Sequence, residues 1–192
     1  IISRLSSHPS LEEGCEIRVG LQTGNDDRFL RLWHEVAPTA VVGGENVKDT
    51  TDLRNLCLRQ TMEGRSWVWY SKIDKASPFA AYIHLLVEWR NDGREIKAAH
   101  VQNGDSISRY VRSESSYFKP GLSYMLRSFR LMPYVVPRGC IPTAGRSQIY
   151  PKEGKEQWLF ALVASYLASA VARFRGEQFG WPKFLNSMVP VV

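Results

Sequence analysis

A chain of 192 residues is long enough for one large domain with a sizeable core. Hydrophobic residues make up 44% of it and charged residues 23%, a balance that excludes a long disordered polypeptide. The net charge is +6, and three widely spaced cysteines, Cys15, Cys57 and Cys140, do not make a disulfide framework and fit a reducing cytosol.

The sequence suggests neither a membrane span nor a secretory leader. The longest nearly uncharged stretch late in the chain, residues 158–172, is too short and too polar to cross a bilayer. The chain opens without a Met and without a basic-then-apolar leader. We therefore expect a cytoplasmic location, no membrane partner and a piece of a longer polypeptide.

Strand and turn patterns dominate the start of the chain. Residues 1–11 are predicted to be a polar lead-in or linker, and residues 12–192 to form one domain. Alternating apolar and polar residues predict a strand at 15–20. Turn-forming residues at 20–27 lead to a second predicted strand at 29–36, which we expect to form a hairpin with the first.

Short strands continue through the middle of the chain. A strong turn signal, Asn91-Asp92-Gly93, precedes a predicted short helix at 95–102. Further strands are predicted at 67–70, at 82–89, once or twice within 122–136, and at 148–150.

One longer helix is predicted near the end, at residues 155–174. Its apolar residues recur three and four positions apart and form one stripe, which we expect to pack on the strands. The stripe consists of Leu159, Leu162, Val163, Tyr166, Leu167, Ala170 and Val171. Together these elements predict an α+β fold, a strand-rich domain with a late packing helix.

The excess of positive over negative charge lies in the second half of the chain. Residues 1–108 carry 13 Lys and Arg against 15 Asp and Glu, whereas residues 109–192 carry 12 against 4. This asymmetry favours a polyanionic partner, above all nucleic acid, over a merely solvated basic face. Arginines dominate, and a guanidinium can grip a phosphate or a guanine edge with two hydrogen bonds. The candidate DNA-binding residues here are Arg109, Arg112, Lys119, Arg127, Arg130, Arg138 and Arg146.

The Gly-rich segment at 20–28 is the most distinctive part of the sequence. Its two glycines allow a tight backbone path, and Asn25 and Asp26 can close it with side-chain hydrogen bonds. Thr23 and Arg28 are candidates for contact with a phosphate. The alternative is a hairpin turn without a ligand.

Sequence signals for catalysis are weak. The chain has no phosphate-binding loop, no nucleophile elbow and no metalloprotease motif. The histidines and cysteines share no zinc-ligand spacing. Asp74, Glu95 and Lys97 follow the residue order of a Mg²⁺-dependent nuclease, which stays open as an alternative. Glu95 can equally well stabilise the start of a helix.

Residues 20–36, Gly-Leu-Gln-Thr-Gly-Asn-Asp-Asp-Arg-Phe-Leu-Arg-Leu-Trp-His-Glu-Val, closely resemble the opening of a DNA target-recognition domain. The similarity is to adenine-specific DNA methyltransferases of the PglX type, from BREX phage defence, and to the related Type IIG restriction–modification enzymes. Looser resemblances to the same domain follow in the same order at 87–97, 111–124, 137–151 and 160–191.

This resemblance implies sequence-specific recognition of duplex DNA. The parent enzyme would transfer a methyl group from S-adenosylmethionine to adenine N6. The family's Gly-rich cofactor motif and its Asn/Asp-Pro-Pro-Tyr/Phe motif do not occur in these 192 residues. We therefore expect no catalytic residue, no metal and no cofactor in this chain. Its expected partners are duplex DNA and the catalytic methyltransferase domain of the same parent chain. The alternative from another class is a protein-interaction module of a defence complex.

Overall fold

The computed structural model describes residues 14–43, 49–72, 79–125, 131–152 and 154–174. These residues form a mixture of short helices and antiparallel and parallel strands, so the prediction of an α+β fold is confirmed. The predicted lead-in at 1–11 lies outside the described residues. No helix within the described ranges is long and apolar enough to cross a membrane.

Nine strands are present in the described part of the chain. They are β1 (Cys15–Val19), β2 (Leu30–Leu32), β3 (Trp67–Tyr70), β4 (Phe79–Ala80), β5 (Leu85–Glu88), β6 (Gly121–Met125), β7 (Tyr134–Val136), β8 (Cys140–Ile141) and β9 (Arg146–Pro151). One sheet has the order β1-β9-β6-β7-β4 and the other has the order β2-β5-β3-β8. The strands predicted at 15–20, 67–70, 82–89, 122–136 and 148–150 are therefore confirmed, within a few residues at their ends.

Six α-helical segments connect or cover these strands in the described ranges. They are α1 (Asp26–Phe29), α2 (Thr50–Met62), α3 (Arg90–Gln102), α4 (Ile107–Tyr110), α5 (Glu156–Ala164) and α6 (Tyr166–Phe174). Within α3, the predicted turn at Asn91-Asp92-Gly93 is confirmed, because these residues have φ values of 49°, 57° and 70°. The regular part of α3 follows that turn and agrees with the helix predicted at 95–102.

The predicted hairpin between the first two strands is wrong. The Asn25 side chain accepts a hydrogen bond from the Arg28 backbone N–H at 3.0 Å and thereby caps α1. This helical turn redirects the chain before β2 begins. As a result β1 pairs with β9, from Cys15 opposite Pro151 to Val19 opposite Ser147, while β2 pairs with β5 in the other sheet.

The long helix predicted at 155–174 is two helices. The Ser165 hydroxyl donates to the Leu162 carbonyl at 2.7 Å and accepts from the Ala168 N–H at 3.1 Å. It therefore ends α5 and begins α6, and the backbone at Ser165 is extended. The predicted stripe is correspondingly broken. Leu159, Val163 and Ala168 are buried under the β1-β9-β6 part of the sheet, but Tyr166 is 77% exposed and Leu167 is 69% exposed.

Helix α2 is an element for which the sequence analysis had no prediction. The Asp49 carboxylate caps it by accepting hydrogen bonds from the backbone N–H groups of Thr51 and Asp52, at 2.7 and 3.1 Å. These two bonds hold the pKa of Asp49 below its ordinary value. One face of the helix buries Leu53 and Cys57, which are four residues apart, against the core of the smaller sheet.

The chain passes between the two sheets at Gly20 and Leu21. The Leu21 N–H donates to the Pro142 carbonyl at 2.7 Å, and the Leu21 carbonyl accepts from Ala144 N–H at 2.7 Å and from the Tyr70 hydroxyl at 2.8 Å. A Cβ atom on Gly20 would lie 1.9 Å from the Pro142 carbonyl oxygen. Only glycine therefore permits this close approach of two backbone segments.

Substitution of Gly20 tests this junction. Gly20→Ala is expected to lower the free energy of unfolding by about 3 kcal/mol, because the methyl group must push the Pro142 backbone away. Gly43→Ala is the matched control, since a Cβ there meets no atom within 4 Å, and should stay within about 1 kcal/mol of the wild type. Urea denaturation followed by tryptophan fluorescence measures both. Equal stability of the two variants would contradict the close approach of the Gly20 and Pro142 backbones.

Two charge substitutions test the broken apolar stripe. Val163→Asp places an unpaired carboxylate in the core and is expected to cost roughly 3–5 kcal/mol, or to prevent folding. Leu167→Asp, on the exposed side of α6, should change the stability by no more than about 0.5 kcal/mol. Thermal unfolding followed by circular dichroism gives the comparison. If the Leu167 variant is destabilised as much as the Val163 variant, the continuous stripe is correct after all.

Candidate nucleic-acid interface

Two of the predicted DNA-binding segments meet in the structure. The Gln22 backbone N–H donates to the Tyr110 carbonyl at 2.8 Å, and Leu21 forms a β-bridge with Val111. These contacts place the Gly-rich loop, residues 20–28, directly against α4 and the start of the basic segment. Gly24 and Val111 are separated by 86 residues in the chain, and these contacts bring their two segments together.

Within the loop, Thr23 has a structural contact. Its side chain is 4% exposed, and its hydroxyl donates to the Asp26 carboxylate, which also accepts from Lys72. Partial burial raises the pKa of Asp26, but the hydrogen bonds from Lys72 and Thr23 outweigh it and leave that pKa lowered. Thr23 therefore orders the loop from inside and does not present its hydroxyl at the surface.

Arg28 faces the solvent at the end of the loop. Its guanidinium lies 3.2 Å from the Glu95 carboxylate and 4.8 Å from the centre of the Phe29 ring. Both partners of this ion pair are more than half exposed, and such pairs contribute at most about 1 kcal/mol. The Arg28 guanidinium is therefore held near the loop but can exchange Glu95 for a phosphate at small cost.

Arg109 and Arg112 flank the same loop. Arg109 is exposed in the last turn of α4, with its guanidinium 5.8 Å from the centre of the Tyr110 ring. Arg112 is half-buried, and its Nε donates to the Arg109 carbonyl at 2.6 Å, where it satisfies a carbonyl at the helix end. Arg28, Arg109 and Arg112 are therefore three guanidinium groups on the loop and on the α4 segment that is bonded to it.

A polar cleft of about 420 Å³ lies between the loop and the end of α3. Gly24, with φ +76°, allows the approach, because a Cβ there would lie 2.5 Å from Cε1 of His100. His100 is 3% exposed and stacks on Tyr110, with ring centres 3.7 Å apart. We call this site the His100 cleft, and it is lined by Gln22, Thr23, Gly24, Asn25, Arg28, Phe29, Ala99, His100, Gln102, Asn103, Asp105 and Tyr110. The sequence analysis did not predict its polar wall from α3, because side chains 80 residues apart meet only in the folded chain.

The other predicted DNA-binding residues lie elsewhere. Lys119 lines a separate cleft of about 880 Å³ beside β9 and α5, and exposed Arg138 borders a third cleft beside β8. Arg146 is 8% exposed, with its guanidinium 5.7 Å from the Tyr134 ring centre, so the domain itself covers most of its surface. Arg127 and Arg130 lie outside the described residues.

The residues of the nuclease alternative have partners in the fold. The Lys97 ammonium lies 3.0 Å from the Asp92 carboxylate and 2.7 Å from the Glu114 carboxylate. Burial lowers the pKa of Lys97, but these two carboxylates outweigh burial and leave that pKa raised. Glu95 pairs with Arg28, and Asp74 lies outside the described residues. Among the described residues, no cluster of His, Cys, Asp or Glu could hold a metal ion.

The cysteines are buried in the core. None of the three forms a disulfide, and burial raises the pKa of Cys57 to about 11 and that of Cys140 to about 12. Thiols with such pKa values carry almost no thiolate at neutral pH. They therefore pack as small apolar side chains.

Comparison with known proteins adds no relative. Neither the protein-family models nor the curated proteins contain a match to this chain. The resemblance to target-recognition domains consequently stays a prediction from the sequence.

Substitution of Lys97 tests whether its ammonium group stabilises the fold. Lys97→Met leaves Asp92 and Glu114 without their cation, and is expected to lower the free energy of unfolding by about 1–3 kcal/mol at neutral pH. Because the pKa of Lys97 is raised in the fold, its contribution is complete at neutral pH and is lost as the pH rises through that pKa. Lys155→Met, at an exposed position, is the control for loss of one positive charge. Equal urea midpoints for the two variants would show that Lys97 does not stabilise the fold.

Proposed function

We propose that this chain is a target-recognition domain that binds a specific site in duplex DNA. It would serve an adenine-specific (N6) DNA methyltransferase or restriction–modification enzyme of phage defence. The resemblance of residues 20–36 to the opening of such domains supports the proposal. The net charges of −2 for residues 1–108 and +8 for residues 109–192 support it independently.

One observation carries the proposal beyond the sequence. The loop that bears the resemblance and the first residues of the basic segment are hydrogen-bonded to each other, from Gln22 N–H to the Tyr110 carbonyl. Arg28, at the end of the loop, and Arg109 and Arg112, around the end of α4, therefore lie on two segments that are hydrogen-bonded to each other. Several guanidinium groups on connected segments suit a regularly spaced row of phosphates.

The work of such a domain divides between affinity and specificity. Arginines on phosphates supply salt-dependent affinity and fix the register of the protein on the duplex. Carboxamide and guanidinium groups that reach base edges supply the sequence preference. The His100 cleft offers both kinds of group, the Arg28 guanidinium and the carboxamides of Gln22, Gln102 and Asn103.

The chemistry of methyl transfer would belong to the catalytic domain of the parent chain. S-adenosylmethionine would bind there. In this chain the Gly-rich loop runs into a helical turn of four residues, and the space beside Gly24 is filled by the His100 ring. This loop does not fit that cofactor, so no step of the reaction is assigned to residues of this chain.

An apolar surface on the last helices supports the partnership with that catalytic domain. Trp158, Tyr166 and Leu167 are 39%, 77% and 69% exposed on consecutive helices. Exposed large apolar side chains are typical of protein contact surfaces when they form one patch. We therefore propose α5 and α6 as the contact with the catalytic domain.

Salt-dependent DNA binding tests the proposal. Each phosphate contact should contribute about 0.9 to the slope of log affinity against log salt concentration. Arg109→Ala and Arg112→Ala should each reduce that slope by about one contact and weaken all duplex sequences alike. Arg59→Ala is the control for the loss of an arginine, because Arg59 is exposed and lies on α2 in the acidic half. Fluorescence anisotropy with labelled duplexes at several salt concentrations gives the slopes.

Two outcomes would redirect the proposal. If an arginine reads guanine, its loss should cost about 1–3 kcal/mol on the proper site and little on other duplexes. If the wild type binds no duplex, or Arg109→Ala and Arg112→Ala retain the wild-type slope and affinity, this face does not bind DNA. The protein-interaction module then becomes the leading function.

A further inference from the structure

The His100 cleft contains an unsatisfied buried polar atom. Nε2 of His100 is buried and has no hydrogen-bond partner within the described part of the chain. A buried nitrogen without a partner costs about 1–3 kcal/mol, and the neighbouring space of about 420 Å³ is large enough for a small planar ligand. The wall of the cleft therefore contains a buried polar ring that the described part of the chain leaves unpaired at Nε2.

The charges of the cleft exclude a simple anion site. Arg28 is its one cationic side chain among the lining residues, and Asp105 supplies an opposite charge. The Arg28 guanidinium is moreover paired with Glu95 just outside. Because the formal charges in the lining cancel, a neutral ligand with several hydrogen-bonding groups fits this cleft better than a phosphate does.

Three carboxamide side chains line the cleft without hydrogen bonds to other described residues. Within the described residues, the side chains of Gln22, Gln102 and Asn103 form no hydrogen bonds with other residues. Each offers a donor and an acceptor side by side, which is the pattern that matches the edge of a nucleobase. The stacked rings of His100 and Tyr110 add a flat wall beside these groups.

We propose that the His100 cleft binds one nucleobase, hydrogen-bonded by the carboxamides of Gln102 and Asn103 beside the His100 ring. This inference deepens the proposed function and rests on it for its role, because Arg28 in the lining and Arg109, beside Tyr110 of the lining, would hold the flanking phosphates. A base bound there is unstacked from its neighbours. The domain would then read that position of its DNA through a pocket as well as through groove contacts.

The experiment uses the full chain and four free nucleosides, adenosine, guanosine, cytidine and thymidine. Because His100 stacks on Tyr110, we expect the Tyr110 ring current to shift the His100 Cε1–H resonance, which can be followed by NMR. A saturable shift of this resonance is expected, and one nucleoside should bind more tightly than the other three. Inorganic phosphate should not produce the shift.

The variants assign the shift to the cleft. Gln102→Ala and Asn103→Ala should each weaken the preferred nucleoside about three- to tenfold, the usual effect of one lost hydrogen bond. Asn55→Ala removes an exposed carboxamide on α2, far from the lining in the chain and absent from it, and should leave the affinity unchanged. An equal loss in all three variants, or no loss in any, overturns the assignment.

The outcomes also separate this inference from the proposed function. If duplex DNA binds but no nucleoside shifts the His100 resonance, the nucleobase cleft is wrong and the proposed function stands. If a nucleoside binds but no duplex does, the cleft stands and the proposed function is wrong. If inorganic phosphate alone produces the shift, the cleft is an anion site and the inference is overturned.

Discussion

The architecture depends on a close approach of two backbones at Gly20. The missing side chain lets Leu21 exchange hydrogen bonds with Pro142 and Ala144 on both sides, and lets the Tyr70 hydroxyl reach the Leu21 carbonyl. Burial raises the pKa of Tyr70, so this hydroxyl keeps its proton and remains a donor. Both sheets are connected to this strip, the larger through β1 and the smaller through β3 and β8. A shift of the strip would therefore move the sheets relative to each other.

The same strip positions the candidate interface. Gly24, four residues after Gly20, lies against the His100 ring. The Gln22 N–H donates to the Tyr110 carbonyl at the end of α4. The loop is short and closed by internal hydrogen bonds from Thr23 and Asn25, so its outer side chains start from a fixed backbone. Preorganised groups lose less conformational entropy when a ligand binds. A stiff loop of this kind is suited to reading a ligand of defined shape.

The charged side chains differ in burial, and their roles differ accordingly. Lys97 lies between two carboxylates and stabilises the fold, and Arg146 lies under its own domain beside Tyr134. Arg28 and Arg109, by contrast, remain exposed beside the Gly-rich loop. A count of basic residues in the sequence treats all of these alike. Their exposed fractions distinguish the cations that are available to a polyanion from those that hold the protein together.

The sequence by itself determined the fold class, most strands and the turn at Asn91-Asp92-Gly93, because alternation, helical periodicity and turn chemistry act over a few neighbouring residues. It also located the Gly-rich loop and the basic segment as candidate sites. The tertiary structure decided which strands pair, since β1 and β2 do not pair with each other but with the distant strands β9 and β5. It also divided the last helix at Ser165 and exposed Leu167. The His100 cleft could not be predicted, because its walls come from residues about 80 positions apart, and such distances are set only when the chain packs.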